Sequence, residues 1–469
     1  MFWQEASPNQ DPKTPKSVQR FERMKLDGRL TFFDALELED IIQFYMGCNN
    51  PRKALEATRY AVQQYPYSTN FLLTKSQLLA STGRMRMALK VLEKVESIDP
   101  LTSELFIIKG AILSKLNHHN DARECFNQAI LHSEHLDVTY LDIALECENL
   151  GNFKEAINFL KKSFDANPRN PQILRELAFC FDVTDQVEES IRFHSYLIDN
   201  QPYHETAWYN LGIAYSKLEK FENALDAFEY ATLIRDDYAD AHFEMGETLS
   251  ALGRRNDAIK AYEKALDHQP SSRTLYCIGE CWEDLEDYGK AARYYKRALR
   301  KEPDMSDAWF GLGIVRYHQL QYSEAIQHIR MAIRLDEYNS EYWHFMGEIM
   351  QMQGEFTEAE EAFRNVIRLE PFTASVWIDL ATSLISQGRN EEAIQTAIEG
   401  SREHPDYAKL FYHICGYLMN NGQIKESYHY LEEALSLDYK GHSVFLESFP
   451  QLVADPHITH LIELYQPSR

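Results

Sequence analysis

The sequence predicts an all-α protein, a solenoid of about twelve helical hairpins with helical caps at both ends. Three observations carry the prediction: a period of 34 residues, a small side chain at one position of every period, and prolines that end the second helix. With Trp208 numbered as position 4, position 20 is alanine or serine in all twelve repeats. These residues are Ala54, Ala88, Ala122, Ala156, Ser190, Ala224, Ala258, Ala291, Ala325, Ala359, Ala393 and Ser427.

Residues 205–231 and 240–266 show the repeat most clearly. In each segment the apolar residues follow helical spacing twice, with a short polar turn between the two runs. Positions 8 and 20 are small, which indicates that the two helix backbones cross closely there. Larger side chains at positions 4, 7, 11 and 24 then fill the surrounding space. Each repeat therefore predicts one tight helical hairpin.

The ends of the repeats are marked by proline, which blocks continuation of the second helix. The spacing is 34 residues throughout except between Ala258 and Ala291, where it is 33. In the first repeat Ile42 occupies position 8 and is bulkier than a close crossing favours, so this hairpin is expected to be the least regular. Proline lies at position 32 in eight repeats, as Pro66, Pro100, Pro168, Pro202, Pro270, Pro303, Pro371 and Pro405.

The pattern W-x2-L-G-x2-Y, followed by A-x3-F-x2-A and then P, resembles the tetratricopeptide repeat (TPR), whose period is 34 residues. The resemblance covers residues 35–441, and the chain looks most like bacterial multi-TPR proteins of no assigned activity. It implies a right-handed superhelix in which stacked hairpins bury their apolar faces and enclose a groove. In this family the groove is lined mainly by the first helix, at positions 2, 5, 9 and 12.

The ends of such an array need covers, because a terminal hairpin exposes apolar surface. Residues 17–34 are expected to form an N-terminal capping segment, a helix with Ser17 as N-cap and with Phe21 and Met24 on one face. Residues 1–16 contain three prolines and few apolar side chains, and are expected to be disordered. Residues 442–469 are expected to form two short capping helices with apolar residues Phe445, Phe449, Leu452, Ile458, Leu461 and Leu464.

The charge of the chain argues against two classes of partner. Its 469 residues have a formal net charge of −24, whereas nucleic acids and anionic membranes require a basic face. No stretch approaches the ~20 apolar residues of a membrane span, and the N-terminus lacks a signal-peptide pattern. The seven cysteines have no framework spacing, which favours a reducing compartment. We therefore expect a cytoplasmic protein that binds neither nucleic acid nor membrane.

No catalytic or nucleotide-binding motif appears in the sequence, and the segments outside the array are short for a catalytic domain. Cys277 and Cys281 share one helix face, but two thiolates fall short of the three or four protein ligands that zinc takes. The sequence therefore predicts a protein that is not an enzyme and that has no metal site and no cofactor.

Binding residues are expected on the first helices. Aromatic side chains recur at position 5, and carboxylates recur at positions 9 and 12 without lysine or arginine in repeats four to ten. Glu148 and Asp182 belong to the same acidic set. The residues expected to contact a peptide are Tyr209, Phe243, Glu247, Tyr276, Glu280, Glu283, Phe310, Tyr317, His344 and Glu348.

These features favour a non-enzymatic scaffold or adaptor that binds a protein or peptide segment, with a preference for basic side chains beside apolar ones. A solvated acidic surface with no ligand explains the carboxylates equally well. A regulatory or sensor subunit that controls a bound enzyme or transcription factor is an alternative, and an enzyme with an unrecognised site is a third. The sequence names neither the partner nor the oligomeric state.

Overall fold

The computed structural model describes residues 15–27 and 31–466. The disorder expected for residues 1–16 falls almost wholly outside this range and stays a prediction. Within the described residues every regular element is a helix, so the predicted all-α hairpin array is confirmed. The chain divides into two compact units, unit 1 (Met1–Ile234) and unit 2 (Arg235–Arg469).

Unit 1 holds one N-terminal helix and, in the described residues, six consecutive hairpins. The helices are α1 (Lys16–Asp27), α2 (Ala35–Gly47), α3 (Pro51–Gln64), α4 (Thr69–Ser81), α5 (Met85–Ile98), α6 (Ser103–Lys115), α7 (His119–Leu131), α8 (Leu136–Asn149), α9 (Phe153–Ala166), α10 (Pro171–Val183), α11 (Val187–Asn200), α12 (Glu205–Lys217) and α13 (Phe221–Ile234).

Unit 2 holds six further hairpins and a C-terminal segment. The helices are α14 (Ala239–Ala251), α15 (Arg255–His268), α16 (Ser272–Asp284), α17 (Tyr288–Lys301), α18 (Ser306–His318), α19 (Tyr322–Leu335), α20 (Ser340–Gln353), α21 (Phe356–Leu369), α22 (Ala374–Ser386), α23 (Asn390–Glu403), α24 (Ala408–Asn420), α25 (Ile424–Leu437), α26 (His442–Ser448) and α27 (Pro456–Leu464). Short 3-10 turns at Tyr439–Gly441 and Pro450–Ala454 join the last helices.

Every hairpin turns through one residue in the left-handed region, at position 15, with φ between 50° and 82°. Glycine adopts this conformation without strain, and it occupies six of the twelve turns. The turn conformation is thus common to all hairpins although the turn residue is not. The other six turns use Asn49, Asn117, Asp185, Glu219, Glu286 and Leu320.

The small residue at position 8 faces the position-24 side chain of the same hairpin. A Cβ added to Gly212 would lie 2.5 Å from the ring of Phe228. The small size predicted from the helix crossing therefore has a second cause, the ring at position 24. The five hairpins with phenylalanine or tyrosine at position 24 all have glycine at position 8, as Gly110–Phe126, Gly212–Phe228, Gly246–Tyr262, Gly279–Tyr295 and Gly347–Phe363.

The first hairpin accommodates its large position-8 residue through the same relationship. Ile42 is 2% exposed, and position 24 is the small residue Thr58, which is fully buried. Compared with the hairpins that pair glycine at position 8 with phenylalanine or tyrosine at position 24, this hairpin has the larger residue at position 8 and the smaller one at position 24. The exchange keeps the interior closely packed. The irregularity expected from Ile42 does not extend to the helices, because α2 and α3 have 13 and 14 residues, like most later hairpins.

Successive hairpins within each unit are joined by four-residue links, with one exception. The link between α15 and α16 comprises only residues 269–271, so the 33-residue spacing shortens a loop and leaves both helices intact. Tryptophan at position 4 fastens three of the links by donating its Nε1–H to a carbonyl oxygen six residues earlier. These bonds run from Trp208 to Pro202 (2.8 Å), Trp309 to Pro303 (2.9 Å) and Trp343 to Glu337 (3.0 Å).

Trp377 occupies position 4 but makes no such bond. Its buried Nε1 has no hydrogen-bond partner among the described residues. The equivalent carbonyl oxygen, that of Pro371, instead lies 3.0 Å from His404 Nε2. The Trp377 ring packs onto Gly400, where an added Cβ would lie 2.7 Å from the ring. Gly400 therefore leaves room for the indole at a position where the other repeats have larger residues.

Segments outside the hairpins pack against both ends of the array. The helix α1 begins at Lys16, so Ser17 lies inside it and is not the N-cap that the sequence suggested. Phe21 is 2% exposed and its ring makes edge contacts with Phe33 and Tyr60. At the other end Phe445, Phe449, Leu452, Ile458 and Leu461 are buried, whereas Leu464 is 66% exposed.

Candidate functional site

The first helices of successive hairpins contact one another within each unit, as α6 contacts α8 and α16 contacts α18. Positions 5, 9 and 12 are spaced by four and three residues, so they share one side of a helix. We call the surface formed by these positions the first-helix face. All ten residues predicted to bind a peptide occupy it, Tyr209 in unit 1 and the other nine in unit 2.

The aromatic residues at position 5 form a layer over the position-24 rings. The ring centroids are 5.9 Å apart for Tyr209 and Phe228 and 5.6 Å apart for Phe243 and Tyr262. Tyr209, Phe243 and Tyr276 are partly exposed, so each keeps an accessible edge. Phe310 is only 8% exposed, since it packs against Tyr342 and Phe345. Phe310 therefore offers little surface to a ligand.

Three of the predicted glutamates accept hydrogen bonds from tyrosine hydroxyls of the same hairpin. Glu247 accepts from Tyr262, which is 1% exposed. Glu283 accepts at 2.8 Å from Tyr295, which is also 1% exposed. Because a buried hydroxyl needs a partner, these carboxylates have a structural role in addition to any role in binding. The third bond joins Tyr276 to Glu280 at 2.9 Å on the surface of α16.

This pairing was missed in the sequence, although a signal was present. Position 24 is tyrosine only in repeats seven and eight, and the partner glutamates lie on the first helix of the same repeat, Glu247 at position 9 and Glu283 at position 12. In repeat six Phe228 occupies position 24 and Ile213 occupies position 9. A tyrosine in place of phenylalanine at this buried position thus indicates that its hydroxyl donates a hydrogen bond to a carboxylate on the first helix of the same hairpin.

Burial and neighbouring carboxylates raise the pKa of three glutamates on α14 and α16. Burial is the main cause for Glu244, Glu280 and Glu283. Repulsion from Glu247 adds to the rise for Glu244 and Glu280, and repulsion from Glu280 adds to it for Glu283. The pKa of Glu283 reaches about 7. Glu283 therefore holds a proton near neutral pH that an approaching cation would displace.

One basic side chain acts on this cluster within the described residues. Arg273 at position 2 of α16 opposes the rise in the pKa of Glu244. Its guanidinium carbon lies 5.1 Å from the centroid of the Phe243 ring. Glu244 and Arg273 lie at positions 6 and 2, beside the first-helix face. Together with Glu247, Glu280 and Glu283 they give this part of α14 and α16 an excess of negative charge.

The predicted residues of α18 and α20 have local partners. His344 lies between two carboxylates, with Nδ1 3.8 Å from Glu348 and Nε2 3.5 Å from Asp379. The Asp379 contact raises the pKa of His344 against the opposing effect of burial. The hydroxyl of Tyr317 lies 3.3 Å from the Met352 sulfur. Protonation of His344 would compensate Glu348, so this end of the face is less acidic than α14 and α16.

The acidic residues of unit 1 are engaged within that unit. Glu148 accepts a 3.2 Å hydrogen bond from the buried thiol of Cys180, and burial raises the pKa of Glu148 to about 7. Asp182 forms an ion pair with Lys217. The uncompensated carboxylates among the predicted residues are therefore those of unit 2.

The two cysteines of α16 are buried thiols. Cys277 and Cys281 are 7% and 2% exposed, and burial raises the pKa of both thiols, that of Cys281 to about 11. No group of three or more His, Cys, Asp or Glu side chains in this part of the chain is arranged to hold a metal ion. None of the described helices has both the length and the apolar character needed to cross a membrane.

Comparison with known proteins gives partial matches. The chain is 26% identical over 150 residues to anaphase-promoting complex subunit 3 of Schizosaccharomyces pombe, covering 32% of this chain and 23% of that protein. It is 30% identical over 166 residues to human tetratricopeptide repeat protein 13, covering 34% and 19%. The chain thus spans about a fifth of the length of these relatives. A tetratricopeptide repeat protein from Parabacteroides merdae has a TM-score of 0.41 and 15% identity, covering 53% of this chain and 99% of that one.

Five family models, each described as a tetratricopeptide repeat, match residues 138–170, 206–238, 239–272, 283–340 and 351–413. Three of the matched segments, 138–170, 206–238 and 239–272, each cover one observed hairpin, whereas 283–340 and 351–413 extend over parts of successive hairpins. The matches include parts of both units. The position-8 glycines, the position-20 alanines and the position-4 tryptophans within them carry the packing described above. This chain belongs to the tetratricopeptide repeat family.

Proposed function

We propose that the protein is a non-enzymatic adaptor, and that the first-helix face of unit 2 binds a protein segment carrying lysine or arginine beside apolar side chains. Membership of a family built from stacked helical hairpins supports a role in binding other proteins. The observation that carries the preference is the cluster on α14 and α16, where four glutamates face one arginine. They are Glu244, Glu247, Glu280 and Glu283, with Arg273.

The raised pKa values supply a physical reason for the preference. A lysine or arginine placed beside Glu280 and Glu283 favours their charged forms, so it returns their pKa values towards those of solvated carboxyls. Binding therefore releases protons, and affinity rises with pH as the free cluster loses its protons. An acidic segment would meet the reverse effect, because each added negative charge raises these pKa values further.

The aromatic residues beside the cluster define the rest of the preferred segment. Phe243 and Tyr276 present partly exposed rings next to Glu247 and Glu280. A cation over an exposed ring contributes about 0.5–1 kcal/mol, and apolar atoms that cover the ring edges add about 25 cal/mol per Å² of buried surface. Alternating basic and apolar side chains suit this surface better than an unbroken basic run.

The test uses a variant in which Glu247, Glu280 and Glu283 are each changed to glutamine, which keeps the acceptor for each tyrosine hydroxyl. The probe is a short fluorescein-labelled peptide of alternating lysine and leucine, followed by fluorescence anisotropy with the full chain. We expect the variant to bind roughly tenfold more weakly. Binding to the wild type should weaken as ionic strength rises from about 0.05 to about 0.5 M.

A matched control separates this surface from the net charge of the chain. It makes the same change to three exposed glutamates of the second helices α21 and α23, and it should bind the peptide like the wild type. Equal weakening in both triple variants would show attraction by net charge alone and would overturn the proposal, as would unchanged binding in both. The control residues are Glu358, Glu361 and Glu391.

A further inference from the structure

Arginine recurs at position 29 in four consecutive second helices of unit 2, α17, α19, α21 and α23. All four side chains are exposed, and three of these helices carry a further exposed basic residue one turn earlier, at position 25. The position-29 arginines are Arg300, Arg334, Arg368 and Arg402, and the position-25 residues are Lys296, Arg330 and Arg364.

The helix dipole alone does not explain this row. A cation in the last turn of a helix is favoured by the dipole, but that effect acts equally on all twelve second helices. In the other eight repeats position 29 is never basic. The arginines are therefore confined to one stretch of a chain whose net charge is −24. The other eight residues are Gln63, Ser97, Leu131, Asp165, Asp199, Leu233, Asp267 and Ser436.

Most of these basic groups have no internal partner. In the part of the chain that the structure describes, Arg364 pairs with Glu360 at 2.9 Å. The four position-29 arginines, and also Lys296 and Arg330, make no ion pair with a described residue. Stabilisation of the fold therefore does not account for the row, and its positive charge faces solvent.

Contacts between neighbouring loops bring the ends of second helices together at two places in unit 2. His404 Nε2, directly after α23, lies 3.0 Å from the carbonyl oxygen of Pro371, which follows α21. Lys301 Nζ, at the end of α17, donates at 2.9 Å to the carbonyl oxygen of Pro270, which follows α15. The C-terminal ends of successive second helices thus adjoin, and the position-29 arginines lie within one turn of those ends.

Exposed aromatic side chains accompany two of the arginines. Tyr338 and Phe372 are 75% and 90% exposed, and each lies four residues after an arginine of the row, Arg334 and Arg368. A hollow of about 410 Å³ adjoins Arg300 and combines basic with apolar lining from Leu266 and Leu275. Aromatic residues and arginine together are enriched in protein–protein interfaces and among their energetic hot spots.

We propose that this second-helix face, the position-29 arginines with Tyr338 and Phe372, binds an acidic protein segment that carries apolar side chains. The positive charge selects carboxylates, which arginine binds in bidentate fashion. The two exposed rings select apolar groups. Carboxylates of the connecting turns, such as Glu337 and Glu370, lie beside the row. They oppose an unbroken run of phosphates, so a peptide with spaced carboxylates fits better than a nucleic acid.

The proposal adds a second surface of opposite sign to unit 2, on helices other than those of the acidic cluster. The probe is a short fluorescein-labelled peptide of alternating glutamate and leucine, measured by anisotropy with the full chain. Changing all four position-29 arginines to glutamine should weaken binding by roughly tenfold or more. The control changes four exposed lysines elsewhere to glutamine and should leave affinity within about twofold of the wild type. These are Lys90, Lys154, Lys409 and Lys425.

A second variant tests the apolar part of the surface. The double variant Tyr338→Ser, Phe372→Ser should bind the glutamate–leucine peptide more weakly than the wild type does. Its affinity for a glutamate–serine peptide should be unchanged. The side chains altered in these two variants, the four position-29 arginines and then Tyr338 and Phe372, are all exposed. The circular dichroism and the melting temperature of both variants should therefore match those of the wild type. The triple glutamine variant of the acidic cluster should bind the acidic peptide as the wild type does, which separates this result from the test of the first-helix face.

Several outcomes would overturn the proposal. If the glutamate–leucine peptide does not bind, or if the arginine variant binds it as tightly as the wild type, an acidic segment is not the ligand of this face. Tighter, arginine-dependent binding of oligothymidylate or of phosphatidylserine vesicles assigns the row to a phosphate-bearing partner. Self-association in sedimentation velocity that disappears in the arginine variant assigns it to a second copy of this chain.

Discussion

Gly212 faces the ring of Phe228 across the hairpin, so that a single added methyl group would approach the ring atoms to 2.5 Å. Real Cβ atoms do not make contacts of that length, so either the ring or the helix must move. Gly212→Ala should therefore destabilise the α12–α13 hairpin by about 1–3 kcal/mol, the usual range for overpacking. Urea denaturation and hydrogen exchange of α12 and α13 measure the effect.

Two further variants test that interpretation. Phe228→Leu in the Gly212→Ala background should recover part of the loss, because hairpins with alanine at position 8 pair it with a smaller residue, as Ala144 pairs with Leu160. Gly47→Ala should be neutral or stabilising, since no atom lies within 4 Å of the added Cβ and alanine favours helix. Additive effects of Gly212→Ala and Phe228→Leu would contradict the ring contact.

The raised pKa of Glu148 predicts a pH dependence of stability. Its pKa is about 7 in the folded chain, against an ordinary value of 4.5. The folded state thus favours the protonated form, so this stabilisation is complete below about pH 4.5 and is lost as pH rises through about 7. Glu148→Gln keeps the acceptor for Cys180 without the charge. The variant should therefore gain stability relative to the wild type between about pH 5 and about pH 8.

Urea denaturation at a series of pH values measures that difference in unfolding free energy. Glu188→Gln is the matched control, because Glu188 is exposed on α11 and its change should give a difference independent of pH. A Glu148→Gln difference that is flat across the same range would contradict the buried, protonated state of this carboxyl.

The repeat frame was predictable, because one residue class at one position recurred in every repeat. Alanine or serine at position 20 placed both helices of each hairpin. Contacts between positions were harder to foresee. The sequence predicts a backbone crossing at Gly212, whereas the atoms nearest to an added Cβ belong to Phe228. Glu247 was assigned to the ligand, whereas it also holds the hydroxyl of Tyr262. Such partners depend on distances across the hairpin, which spacing along one helix does not give.

Replacing a position-4 tryptophan with phenylalanine should reduce the free energy of unfolding by different amounts in different hairpins. Trp309→Phe removes a hydrogen bond to Pro303, whereas Trp377→Phe removes an Nε1–H that has no partner among the described residues. Both changes reduce the ring by the same amount. The first should therefore destabilise unit 2 by about 0.5–1.5 kcal/mol more than the second, as measured by urea denaturation. Equal losses would mean that the indole bond to the link contributes nothing.

The C-terminal helices predict the consequence of a truncation. Deleting residues 442–469 removes the buried side chains of Phe445, Ile458 and Leu461, and it uncovers apolar surface of α24 and α25. The shortened chain should melt at lower temperature and self-associate in sedimentation velocity. Leu464→Ser is the control and should behave like the wild type, because Leu464 is exposed. If the truncated chain stays monomeric and melts at the same temperature as the full chain, residues 442–469 are not needed to cover the last hairpin.

The turn at Leu320 predicts a stabilising substitution. Its φ of 58° lies in a region that costs a non-glycine residue about 1–2 kcal/mol, and its side chain is 73% exposed and adds little packing. Glycine relieves the strain but adds freedom to the unfolded chain, so Leu320→Gly should stabilise unit 2 by up to about 1 kcal/mol. Gly388→Leu, at the equivalent turn, should destabilise it. Thermal melting that moves in the same direction for both would contradict the argument.

The left-handed turn recurs at position 15 in all twelve hairpins, and half of them form it without glycine. The helices on either side, rather than the turn residue, therefore fix this conformation. A recombination event that adds or removes one whole period joins two turns of identical geometry, so the spliced chain inherits a hairpin that already closes. The one repeat with a 33-residue spacing is shorter in the link between α15 and α16 and not in a turn. Gene rearrangement can thus produce arrays with more or fewer hairpins without changing the sequence of any single hairpin. The length of the binding surface changes with the number of hairpins.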